Sequence, residues 1–212
     1  VSLPRFATVA ELRSWLVSDL ARPWLLGVGL ALTFGLSTLV RFVSLDSKPA
    51  EWYGDISTVY EYVQSIRAGR IVDGIFALGV GPLYPAVLSP MLNVLGTSYL
   101  AIKASAALLS LAGLVMVFVF SRAILGTAFG ILATAVAGVG SWLLVYSRLG
   151  DVQALVPVLT MSVLWLVVVI ARSERFNPVA VVGCGLLAAS GVYLYGATFM
   201  LPVVAGIMAL VY

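Results

Sequence analysis

Apolar residues run in stretches of membrane length along most of the chain, broken by short polar or glycine-rich connections. A bilayer core about 30 Å thick takes roughly 20 apolar helical residues per crossing, because each backbone polar group has to be satisfied within the span. By that measure Trp24 to Val43 predicts a first span, with Trp24 at one end and Arg41 near the other as interfacial anchors. Tyr99 to Phe120, Phe129 to Tyr146, Ala154 to Ala171 and Val179 to Tyr195 predict further spans, and another begins near Thr198 and stops at Tyr212. That last stretch holds about fifteen residues, short of a crossing, so the chain is expected to be cut inside a helix. The fold class expected is all-α, a polytopic membrane protein of about six transmembrane helices plus interfacial helices in a large first loop.

Two regions depart from the long apolar pattern. Leu12, Leu16 and Leu20 recur at four-residue spacing among charges, which predicts an amphipathic interfacial or surface helix within an N-terminal segment, 1–22. Residues 23–212 then form a transmembrane domain whose first loop covers about 44–98. Inside that loop Trp52, Ile56, Val59, Val63 and Ile66 mark one face of an amphipathic helix suited to the interface. Gly81-Pro82-Leu83-Tyr84-Pro85 predicts a rigid turn, and Ala86 to Leu95 a re-entrant or interfacial helix too short to cross.

Composition agrees: the 212 residues are 62% hydrophobic and 10% charged, far from a soluble domain. The net charge of +3 is spread over singly placed Lys and Arg, which suits anionic headgroups and gives no reason to expect nucleic acid as a partner. Cys184 is the one cysteine, so no intrachain disulfide or cysteine metal cluster can form, and the chain has no histidine. Any acid/base work therefore falls to carboxylates, Tyr or Lys. No basic stub with a short apolar core opens the chain, so no cleavable signal peptide is expected.

Acids are scarce, and their positions carry information. Counting crossings puts the first loop, the turn holding Arg148 and Asp151, and the turn from Tyr193 to Thr198 on one side of the membrane. Asp55 in the loop and Asp151 in the turn can then converge, as an acceptor base and its partner or as oxygen ligands of a divalent cation. Arg148 suits a phosphate, or alternatively an ion pair with Asp151 at a helix start. Lys103, a few residues into a span, either snorkels to the headgroups or meets a phosphate. Glu51 reads more simply as a surface charge, and Tyr84, between two prolines, as structural or as a lipid or sugar contact.

This order of a span, an acid-bearing loop, GPLYP, a short apolar helix and later spans ending in Ser121-Arg122 and Ser147-Arg148-Leu149-Gly150-Asp151 resembles a known family. It is similar to the N-terminal half of the polyprenyl-phosphate-dependent membrane glycosyltransferases of the C-type fold, which include the protein O-mannosyltransferases and the lipid A aminoarabinose transferases. The likeness runs from about Trp24 to Tyr212. Ile56 stands where the family carries its second acid, and Gly81 where it carries a first proline.

The resemblance implies an inverting transfer of a sugar from a polyprenyl-phosphate donor to a hydroxyl or amine at the external face, in the plasma membrane of a bacterium. Asp55 would be the catalytic base, with Asp151, Arg148, Lys103, Tyr84 and Glu51 binding substrate. A divalent cation is the one cofactor left open; the expected partners are the lipid-linked sugar and membrane lipids. The alternative is a non-catalytic, glycosyltransferase-like subunit packed among other membrane proteins. A small transporter ranks third, because the spans hold almost no acids for an ion path.

Overall fold

Helix is what this apolar, glycine-punctuated chain forms: a computed structural model describes residues 23–50, 54–70, 81–173 and 176–211, and no strand occurs among them. The expected N-terminal helix, Glu51 and the Asp55 side chain lie outside the described residues and side chains. In chain order the helices are α1 (Pro23–Phe42), α2 (Gly54–Arg67), α3 (Leu83–Leu95), α4 (Tyr99–Leu125), α5 (Thr127–Val139), α6 (Ser141–Leu149), α7 (Val156–Ala171), α8 (Pro178–Ser190) and α9 (Leu201–Val211). Short 3₁₀ turns at Val152–Ala154, Gly191–Tyr193 and Gly196–Met200 join the later ones.

The central helix is α4, packed on α5, α6 and α7. Ser98 starts it by accepting the Ala101 N–H at 3.2 Å, filling one of the donors that a helix N-terminus leaves open. Gly126, at φ +96°, ends it, a conformation that costs other residues a clash at Cβ. Outside this centre the pattern is inverted relative to a soluble protein. Leu32 on α1, Leu132 on α5 and Leu186 on α8 are all more than half exposed, which leaves apolar faces turned outward.

Two segments, α4 and 152–171, are long and apolar enough to cross a membrane, and a third qualifies if α5 and α6 count as one bent span. Shorter apolar helices account for the rest, so length alone carries only part of the six crossings expected. Two of the differences fall at glycines. Phe129 to Tyr146, expected as one span, is two helices bent by 55° at Gly140, whose backbone turns extended at φ −58°, ψ 128°. Val179 to Tyr195 shortens to α8 and passes into 3₁₀ turns from Gly191 onward.

The loop helices pack on protein. Ile56, Val59 and Val63, the stripe expected to lie along the interface, are at most 1% exposed and join one core with Tyr84, Leu88 and Val152. Arg67 ties the end of α2 to α3 through the Ser89 carbonyl and the Asn93 side-chain oxygen, at 3.2 and 2.7 Å.

Candidate functional site

Three connections meet at one end of the bundle, and GPLYP in the first of them laces it to the other two. The Gly81 N–H donates to the Leu194 carbonyl at 2.9 Å. A Cβ at position 81 would lie 2.1 Å from the Tyr193 carbonyl oxygen. Proline would remove that N–H and place its ring against the Tyr193 backbone, so glycine at position 81 has a local cause.

Three residues on, the fully buried Tyr84 donates its hydroxyl to the Gly150 carbonyl at 2.8 Å. Burial first, and then the Asp151 carboxylate nearby, push the Tyr84 phenol far above the ordinary tyrosine range. It therefore stays neutral and donating. Its acceptor closes α6 in the left-handed conformation, φ +89°, and a side chain there would come within 2.8 Å of Ile102 Cγ2. Glycine is required at position 150 on both counts.

Asp151 follows directly. It is 6% exposed, and its Oδ1 accepts the Gln153 N–H at 3.1 Å, which makes it the N-cap of the 3₁₀ turn leading into α7. Lys103 is fully buried in the first turns of α4, not snorkelling to the surface; its Nζ donates to the Pro49 carbonyl at 2.9 Å and stands 5.0 Å from the Tyr99 ring centroid. Arg148 and Asp46 are near enough to act on that ammonium, the first repelling it and the second attracting it. Tyr99 reaches the same turn by donating its hydroxyl to the Leu149 carbonyl at 3.4 Å.

Arg148 does something its sequence neighbours do not announce. Its two terminal nitrogens donate to the carbonyls of Val40, Arg41, Val43, Ser44 and Lys48, at 2.7 to 3.2 Å. Val40 and Arg41 belong to the last turn of α1, whose carbonyls lack intrahelical donors, and the other three to the segment that follows it, so the guanidinium holds the end of α1 and the start of the first loop from about a hundred residues away.

Tyr84, Lys103, Arg148 and Asp151 thus share one end of the bundle. Asp55 lies in the first turn of α2, next to buried Ile56, on a helix that shares its core with Val152, the neighbour of Asp151. Glu51 falls outside the described residues. No group of three His, Cys, Asp or Glu side chains placed to hold a metal occurs among the described residues.

Arg41 is the residue that sequence reasoning misplaced. Expected as an interfacial anchor, it is 0% exposed and points inward to Ser110 and Gly138. The available signal was Ser37, one helical turn before it, together with the Gly138/Gly140 pair that breaks the facing helix. Compared with protein-family models, curated proteins and solved structures, the chain finds no match.

Proposed function

We propose that this chain is a membrane-embedded glycosyltransferase that uses a polyprenyl-phosphate sugar, with its reaction centre at the end of the bundle where the first loop meets the 147–151 turn. The observation that carries this reading is the meeting of Tyr84, Lys103, Arg148 and Asp151 there, beside the helix that bears Asp55. The outward apolar faces of α1, α5 and α8 suit a lipid solvent, and the shorter apolar helices complete the crossings as broken spans.

In this reading Asp55 takes the proton of the acceptor hydroxyl or amine as that atom attacks the anomeric carbon. The bond from that carbon to the phosphate oxygen breaks, its electron pair stays on the phosphate, and the centre inverts. Lys103 offsets the growing phosphate charge: an ammonium carries three N–H donors, and the described residues account for one of them, at Pro49. Arg148 and Tyr84 hold the turn, and Asp151 fixes the start of α7 at the edge of the site.

A second reading, a non-catalytic subunit, is favoured by one observation. Arg148 commits both terminal nitrogens to the backbone carbonyls at the end of α1, which is the work of a structural residue. Donor binding separates the two. In lipid nanodiscs, the full chain should retain a polyprenyl-phosphate hexose against a large excess of phosphatidylglycerol, read by native mass spectrometry, and Lys103→Met should lose that preference. Equal displacement of the prenyl lipid by phosphatidylglycerol would remove the transferase reading.

A further inference from the structure

Two arginines reach across between α1 and the bent α5/α6 pair, each donating to carbonyls at a helix end on the other side. Arg148, on α6, holds the end of α1. Arg41, on α1, holds the end of α5: its Nη1 donates to the Gly138 carbonyl at 2.8 Å, next to the Gly140 bend from which α6 departs. The same nitrogen reaches Ser37 O at 3.0 Å, and Nε reaches Ser110 Oγ on α4 at 2.9 Å.

We infer that Arg41 and Arg148 form a reciprocal clasp, in which Arg41 is a positioning residue that sets the 147–151 turn against the start of the first loop by pinning the α5/α6 bend. The loop between them is closed, because Arg148 accepts its place from α6, α6 takes its direction at Gly140, and the carbonyl of Arg41 itself receives Arg148 Nη1 at 3.1 Å. Gly138 lets α1 close in, since a Cβ there would lie 2.2 Å from Ser37 Oγ.

Packing alone does not account for Arg41. Its hydrogen-bond partners among the described residues are all neutral, and its Nη2 is buried without a partner among them. A buried cation so placed costs desolvation that an apolar side chain of similar volume avoids. What the guanidinium supplies is direction: three donors aimed at fixed points on three helices. The clasp stands whether or not the site transfers sugar.

Hydrogen exchange on the full chain in nanodiscs tests it. Arg41→Met should raise exchange across 140–151 about tenfold or more, the effect of losing a charge-assisted hydrogen bond, while α7 and α8 keep their protection. Arg41→Lys, which retains charge and reach to a single carbonyl, should restore part of it. Ser110→Ala should raise exchange in the same segment by less. Because each arginine depends on the other, Arg41→Met combined with Arg148→Met should exchange there no faster than the worse single variant. Unchanged exchange at 140–151 in Arg41→Met, or additive effects in the double variant, would overturn the clasp. If Arg41→Met fails to fold, unchanged exchange there in Ser110→Ala overturns it alone.

Discussion

At the scale of single residues, Tyr84 shows how a phenol becomes part of the frame. Its hydroxyl is buried against the Gly150 carbonyl, and Tyr84→Phe keeps the ring while leaving that carbonyl without its donor. The expected loss is about 1–3 kcal/mol of stability, read as a lower midpoint of unfolding in detergent. The pH dependence has a definite sign. The folded pKa is raised, so the contribution is complete below the unfolded value of about 10 and is lost as pH climbs above it. Wild type should therefore lose stability more steeply than Tyr84→Phe above that pH, and parallel curves for the two proteins would contradict the assignment. Tyr84 was legible as a structural residue between two prolines, but its acceptor was not, because nothing local ties position 84 to position 150.

Among the elements, glycines decide where helices end and how closely connections approach. Gly81 has the Tyr193 carbonyl where a Cβ would go, whereas Gly185 on α8 has no atom within 4 Å of that point. Gly81→Ala should cost about 1–3 kcal/mol through backbone displacement, and Gly185→Ala should be neutral or stabilise by up to about 1 kcal/mol through helix propensity. Thermal unfolding of both variants checks the contrast; equal shifts would mean that the 81/194 contact does not fasten the turns. The amphipathic stripe of α2 was plain in the 3.6-residue spacing of Ile56, Val59 and Val63, yet its partner was misjudged. Periodicity reports that one face is apolar, and the same face suits a bilayer or a protein core. The bend at Gly140 was hidden for a related reason, since hydropathy runs evenly across Phe129 to Tyr146 while the break depends on backbone angles at one residue.

For the whole molecule, the all-helical class follows from the length and spacing of the apolar stretches, whereas the expectation that three connections share one end rests on a count of crossings of which helix length carries only part. The contacts Gly81 to Leu194, Tyr84 to Gly150 and Arg148 to the end of α1 place those connections together. The inward turn of Lys103 was out of reach, because a cation near the end of an apolar run reads alike whether it faces headgroups or carbonyls. What the assembled end of the bundle does is a matter of chemistry, and its central claim is that Asp55 acts as a base toward a lipid-phosphate sugar. The most direct measurement is transfer of radiolabelled hexose from a polyprenyl-phosphate donor by the full chain in nanodiscs, wild type against Asp55→Asn. The account predicts measurable transfer by wild type and a fall of about 10²- to 10⁴-fold in the variant, the usual worth of a general base, with donor binding retained. Transfer at the wild-type rate by Asp55→Asn would contradict it.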